Sequence, residues 1–131
     1  MTLLLDTNIL VPLVDGTGRD LPGHIVEAIG DDDANLSASV VSIWEVAIKH
    51  RLGKLPLPCP LADWPAALET LNIRVLTIRT AHVIQPVEPP IAVRDPFDRL
   101  LIAICAAEGL SLVTTDEALI RHPLAWRPAS A

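Results

Sequence analysis

The 131 residues, half of them hydrophobic and a fifth charged, suffice for one domain with a buried core and exclude an intrinsically disordered chain. The net charge of −6 excludes a protein that binds nucleic acid by blanket neutralisation of phosphates, but it is compatible with a cation site. We therefore expect a single domain over residues 1–131.

The alternation of short apolar runs with amphipathic segments predicts an α/β protein. In chain order, the predicted elements are a strand at 3–5, a helix ending at Gly16, a helix through 22–29, a strand at 35–38, a helix from Ser39 to about Leu52, a helix at 64–71, a strand at 74–78, a short helix at 80–85, a long apolar helix from Asp95 to Gly109, a strand at 110–114 and a final helical turn or two at 117–121. Strands that alternate with helices favour parallel pairing through right-handed crossovers, in a sheet covered on both faces.

The chain has no candidate membrane segment. Its longest purely apolar run, residues 100–107, is far shorter than the roughly 20 residues that cross a bilayer. The amino terminus reaches Asp6 after three leucines, without the features of a signal peptide. We expect a cytoplasmic protein without a membrane partner, in which Cys59 and Cys105 are reduced thiols.

Two acids directly follow predicted strands. Asp6 follows the first strand and Asp116 comes just after the last one. Ligands of parallel α/β sheets bind beyond the carboxyl ends of the strands, so both carboxylates are placed for a site. Taken alone, either of them is explained equally well as a helix cap.

A third acid lies in the first turn of the apolar helix. Because Pro96 suits the first helical position, Asp95 is predicted to cap the helix and Asp98 to be its third residue. Asp98 shares a helical face with Leu101, Ile102 and Cys105, which directs it inward. A favourable interaction with the helix dipole is the alternative explanation.

Glu45 is an acid on an apolar helical face, with Val41, Ile48 and Leu52 at helical spacings around it. An ion pair with Lys49, four residues later, is the simplest explanation. Such a surface pair contributes only about 0.3 to 0.5 kcal/mol, whereas an unpaired buried carboxylate costs several kcal/mol. Burial of Glu45 therefore predicts a stronger partner, such as a metal ion.

The four acids together indicate metal-dependent hydrolysis. Converging carboxylates repel each other unless cations compensate, and oxygen-only ligands suit Mg²⁺ or Mn²⁺. The predicted chemistry is phosphodiester hydrolysis by a water of lowered pKa, which needs no side-chain nucleophile. The four histidines have no nucleophile context and are predicted at the surface or at helix ends: His24, His50, His82 and His122.

The ordered set of motifs resembles a PIN-domain ribonuclease, particularly the VapC-type toxins of bacterial toxin-antitoxin pairs. The matching pieces are Leu4-Leu5-Asp6-Thr7-Asn8, residues 42–49 with Gly53-Lys54-Leu55, residues 94–103 and Thr114-Thr115-Asp116. Any one of these pieces is common, but their order is specific. In related toxins a histidine often precedes the 94–98 run, where this chain has Ala92 and Val93.

The resemblance implies a three-layer α/β/α sandwich with a mainly parallel sheet. It implies Mg²⁺ or Mn²⁺ bound by Asp6, Glu45, Asp98 and Asp116, with Asn8 and Thr114 assisting through hydrogen bonds, and endonucleolytic cleavage of RNA. It also implies a homodimer, and inhibition by a small antitoxin that blocks the acidic cleft with an inserted arginine or its carboxyl-terminal segment.

Basic residues follow Glu45 and are candidates for RNA binding. Lys49, Arg51 and Lys54 are placed to contact phosphates, although a basic helix end is an equally simple explanation. With one phenylalanine, three tryptophans and no tyrosine, the composition gives little support to base stacking.

Two other functions remain open. A non-catalytic PIN-like scaffold would keep the fold and a binding partner without cutting RNA. A receiver-like phosphoacceptor domain also gathers acids and Mg²⁺ at strand ends, but it gives Glu45 no role and expects a lysine after a late strand, where this chain has Thr114-Thr115-Asp116.

Overall fold

A parallel four-stranded sheet lies at the centre of the structure, a computed structural model that describes residues 1–91 and 95–128. The strands are β1 at Thr2–Leu5, β2 at Asn35–Ser39, β3 at Ile73–Leu76 and β4 at Ser111–Val113. Their order is β3-β2-β1-β4, so β1 lies inside the sheet between β2 and β4. All three pairings are parallel, as the alternation of elements predicts.

Six α-helices connect or flank the strands in the described part of the chain. They are α1 at Thr7–Asp15, α2 at Gly23–Gly30, α3 at Val40–Arg51, α4 at Trp64–Thr70, α5 at Thr80–Ile84 and α6 at Pro96–Glu108. None of these helices has the length and apolar content needed to cross a membrane.

The period-two alternation of β1 divides the core into two layers. Leu3 and Leu5 belong to one buried apolar cluster and Leu4 to the other, and all three side chains are fully buried. The first cluster includes Ile9 of α1, and the second includes Leu101 of α6. Helices therefore cover both faces of the sheet, and the predicted α/β/α architecture is confirmed.

Helix ends follow the predicted signals. Ser39 caps α3, its Oγ accepting from the Val41 N–H at 3.0 Å. Asp95 caps α6, accepting from the N–H groups of Phe97 and Asp98. Gly109 ends α6 in the left-handed conformation, with φ of 70°.

The bounds of strand β3 differ from the prediction. The strand starts one residue earlier than expected and ends at Leu76, and the next two residues, Thr77 and Ile78, are exposed. The predicted final helical turn or two at 117–121 agrees with the structure, where the N–H groups of Leu119 and Ile120 donate to Asp116 O before the chain returns to the sheet. There, Leu112 N–H donates to Leu124 O and Trp126 N–H donates to Leu112 O.

Two histidines are buried: His82, which lies at a helix end in α5 as predicted, and His122, which was expected at the surface or at a helix end. His82 Nδ1 accepts from the Arg79 N–H, and its Nε2 lies 2.7 Å from Glu108 Oε1. His122 Nε2 lies 2.9 Å from the Pro89 carbonyl oxygen. Each ring joins segments distant in sequence, so a structural role explains its burial.

Candidate functional site

Asp6 joins the end of β1 to the start of α1. Its Oδ1 accepts from the Thr7 N–H at 2.7 Å, and its Oδ2 accepts from the Thr114 hydroxyl at 2.6 Å. Only 3% of the residue is exposed. The capping role is confirmed, and the same carboxylate reaches the segment that follows β4.

The Thr114 hydroxyl connects two of the predicted site acids. It donates to Asp6 and accepts from the Asp116 N–H at 2.9 Å. Asp116 Oδ1 in turn accepts from the Ala118 N–H at 2.9 Å. Thr114 therefore fixes the spacing of Asp6 and Asp116 at the carboxyl ends of adjacent strands.

Glu45 projects from α3 toward α1. Its Oε1 accepts from the Thr7 hydroxyl at 2.8 Å, and Thr7 Oγ1 also lies 2.9 Å from Ser42 Oγ. Its Oε2 lies 2.6 Å from Lys49 Nζ, so the ion pair expected as the simplest explanation is present. Glu45 is nevertheless 7% exposed, because its helix packs that face against α1.

Asp98 lies buried in the first turn of α6, inside the Asp95 cap. Burial raises the pKa of its carboxyl from 3.8 to about 7, and the negative charges of Asp95, Asp6, Asp116 and Glu45 act in the same direction. The four predicted site acids therefore share one electrostatic environment.

The pKa of Asp6 is also raised. Burial is the main cause, and the charges of Glu45 and Asp116 add to it, while the hydrogen bonds from Thr114 and Thr7 oppose it. The hydrogen bond to Glu45 raises the pKa of Lys49, which keeps that ammonium charged. Lys49 is thus a protein cation beside the acidic cleft that the four site acids form.

The acids supply suitable donors for a hard divalent cation. Carboxylate oxygens are the ligands that Mg²⁺ and Mn²⁺ prefer, and a cation would relieve the repulsion between the acids, which adds to burial in raising the pKa values of Asp6 and Asp98. However, no three acidic, histidine or cysteine side chains within residues 1–91 and 95–128 are arranged to hold a metal ion as they stand. Both oxygens of Glu45 have protein partners, Lys49 at Oε2 and Thr7 at Oε1.

Comparison with known proteins identifies the family of the chain. A sequence model of the PIN domain matches residues 3–123. The chain belongs to the PIN domain family. No curated protein matches it significantly.

A solved structure shares the fold of this PIN domain. It is the crystal structure of VapBC2 from Rickettsia felis bound to a DNA fragment from their promoter, in which one chain aligns with a TM-score of 0.59 and 17% sequence identity. The alignment covers 95% of this chain and 96% of that chain. At this identity the likeness shows the fold.

The remaining predicted site residues of the PIN domain differ in their surroundings. Asn8 is exposed in the first turn of α1, and its assisting role stays a prediction. Lys49 and Lys54 line a cavity of about 420 Å³ together with Glu45, whereas Arg51 is exposed at the end of α3. Residues 92–94, which include Ala92 and Val93 where related toxins often have histidine, lie outside the described residues.

Sequence reasoning missed the Thr7 hydroxyl that binds Glu45 and the Ser42 hydroxyl that contacts Thr7. Thr7 directly follows Asp6, and Ser42 precedes Glu45 by three residues on the same helical face. The second spacing is a usable signal, because residues three apart on a helix are neighbours. The pairing of Thr7 with Glu45 spans 38 residues and has no local signature.

We expect Thr114→Val to lower the free energy of unfolding by about 1–3 kcal/mol, because the buried Asp6 carboxylate loses a donor and the Asp116 N–H loses its acceptor. Thr114→Ser keeps the hydroxyl and is the matched control. Urea unfolding at neutral pH measures both variants. A Thr114→Val variant as stable as the wild type would contradict the contribution of the hydroxyl group.

We expect Asp98→Asn to stabilise the metal-free protein at pH 8. Because the pKa of Asp98 is raised on folding, its ionisation opposes folding above about pH 4, and the penalty is complete above about pH 7. After solvent screening this penalty is about 1–2 kcal/mol, or about 3–8 °C in Tm. The gain should fall toward zero at pH 4.

Thermal unfolding in EDTA from pH 4 to pH 8 measures this difference. Asp32→Asn, which removes an exposed acid, is the matched control and should show no such trend. A gain for Asp98→Asn that is independent of pH would contradict the raised pKa.

Proposed function

We propose that this PIN domain is a Mg²⁺- or Mn²⁺-dependent endoribonuclease and the toxin of a toxin-antitoxin pair. The observation that carries the proposal is the placement of Asp6, Glu45, Asp98 and Asp116 in one electrostatic environment at the carboxyl end of a parallel sheet. Membership of the PIN family supports a nuclease, and the likeness to a chain of the VapBC2 complex supports the toxin assignment.

In this proposal the four carboxylates hold the metal. A bound Mg²⁺ or Mn²⁺ would supply a water of lowered pKa and stabilise the charge that develops on the phosphate. Glu45 would be among the ligands, and a metal would compete with the Lys49 ammonium for its Oε2. Thr7 and Thr114 orient the carboxylates, because each donates a short hydrogen bond to one of them.

The residues around the acids have separate tasks. Lys49 and Lys54 attract RNA phosphates to a protein whose net charge of −6 would otherwise repel them. The fully buried Leu101 and Ile102 of α6 keep water out of the layer beneath Asp98. The nucleophile comes from solvent, in agreement with histidines that are either exposed or committed to structural hydrogen bonds.

The proposed partners are RNA, a second copy of the chain and an antitoxin. The VapBC2 structure that shares this fold is a complex bound to promoter DNA. An antitoxin that presents an arginine or an acid-binding carboxyl-terminal segment would complement the acidic cleft. This mode of inhibition fits a site whose acids are only partly neutralised by Lys49.

Incubation of the purified protein with cellular RNA tests the enzymatic activity. We expect cleavage with Mg²⁺ or Mn²⁺, none with EDTA, and at least about 100-fold slower cleavage by Asp6→Asn and Asp98→Asn, since each removes charge that would hold the metal. Asp32→Asn, purified in parallel, should cut like the wild type and controls for contaminating nucleases. Equal cleavage by all four proteins would reject the site.

Thermal unfolding tests metal binding without any activity. At about ten times the dissociation constant, Mg²⁺ or Mn²⁺ should stabilise the wild type by about 1.4 kcal/mol, because it binds only the folded state. Asp6→Asn and Asp98→Asn should lose the shift, and Asp32→Asn should keep it. A metal-induced shift without RNA cleavage would indicate the non-catalytic scaffold, and no shift at millimolar metal would contradict the metal site.

A further inference from the structure

An aromatic pair lies at the edge of the acidic cleft. The rings of Trp44 on α3 and Phe97 on α6 meet edge to face, with centroids 5.1 Å apart and planes at 74°. Trp44 is 55% exposed although it belongs to a helix whose other face is buried. Phe97 directly precedes Asp98, so the pair is one residue from a proposed catalytic acid.

Trp44 begins an apolar stripe along α3. Ile48 and Leu52 follow at intervals of four residues, and Leu52 is 61% exposed. Glu45 and Lys49, each one position further along the chain, form the neighbouring stripe. The helix thus presents an apolar surface and an ionic surface side by side at the cleft.

The cavity of about 420 Å³ combines the groups that a nucleotide needs. Its volume falls in the range of small-ligand sites, about 300 to 1,000 Å³. Acidic, basic and apolar side chains line it, represented by Glu45 and Asp95, Lys49 and Lys54, and Ile48 and Phe97. The two lysines are suited to bind phosphates. The apolar side chains, of which Phe97 contacts Trp44, are suited to pack against a base.

We propose that Trp44, supported by Phe97, stacks against a base of single-stranded RNA next to the phosphate that is cut. This inference rests on the proposed function and specifies its substrate. Single strands are favoured over duplexes because duplex bases are already stacked and cannot reach an aromatic side chain. RNA is favoured over a protein partner because the same cavity carries lysines for phosphates and continues to the acids.

The count of aromatic residues argued against base stacking, but their placement favours it. Of the four tryptophan and phenylalanine residues, two meet beside the cleft. Trp64 is fully buried in the core, and Trp126 stacks on His24, with ring planes 9° apart. One accessible ring at the correct place is sufficient to hold one base.

RNA binding in EDTA, where cleavage is absent, tests the proposal. The ligands are a short single-stranded RNA and the same strand with abasic positions. We expect Trp44→Ala to bind the intact strand about 5- to 100-fold more weakly than the wild type, and Trp44→Phe to retain most of the affinity. Val83→Ala removes an equally exposed apolar side chain on α5 and should bind like the wild type.

Two further readouts distinguish stacking from a structural role. The abasic strand should bind the wild type as weakly as Trp44→Ala binds the intact strand, and it should not distinguish the two proteins. RNA should also quench the tryptophan fluorescence of the wild type, and this quenching should be lost in Trp44→Phe.

Several results would overturn the proposal. Equal affinity of the wild type and Trp44→Ala for intact RNA would do so. The proposal would also fail if Trp44→Ala weakened binding of the abasic strand as much as binding of the intact strand. Sedimentation that shows Trp44→Ala changing a dimer into a monomer, with unchanged RNA affinity, would assign the surface to a second copy. If the protein cleaves RNA with Mg²⁺ but Trp44→Ala binds RNA as tightly as the wild type, only the stacking proposal is rejected. Absence of cleavage in every sample would reject the proposed function.

Discussion

The last rung of the β1–β4 ladder determines the geometry of the cleft. The N–H of Asp6, one residue beyond β1, donates to the carbonyl oxygen of Val113, the last residue of β4, at 2.9 Å. This bond brings the Asp6 side chain to Thr114 and starts α1 at Thr7, whose hydroxyl then meets Glu45. A shift of one residue in this register would turn each side chain of β1 to the opposite face of the sheet.

Acids gathered in this way oppose folding, and the structure relieves the conflict only in part. Hydroxyl groups of Thr7 and Thr114 satisfy the carboxylate oxygens, and Lys49 neutralises Glu45. For Asp98, burial, reinforced by the charges of the neighbouring acids, raises the pKa to about 7. The acids of the cleft therefore destabilise the folded state, and the two apolar layers on either side of the sheet offset this cost.

The sequence predicted features that depend on local chemistry. Apolar runs predicted the four strands, and capping residues predicted both ends of α6, at Asp95 and Gly109. The ends of the predicted strands indicated Asp6 and Asp116 as site residues. Contacts between distant segments had no local signal, such as Thr7 with Glu45 or Trp44 with Phe97. The burial of His122 was missed for the same reason, since its partner Pro89 lies 33 residues away along the chain.

The segment after residue 123 protects the sheet, although the match to the PIN family ends there. Leu124 and Trp126 exchange backbone hydrogen bonds with Leu112, and Ala125 forms a parallel bridge to the same residue. An outer strand without such a cover offers its free N–H and C=O groups to any extended chain and promotes aggregation. The end of the family match is therefore not a suitable point for truncation. A chain cut after residue 123 would leave the outer edge of β4 open to pairing with another strand.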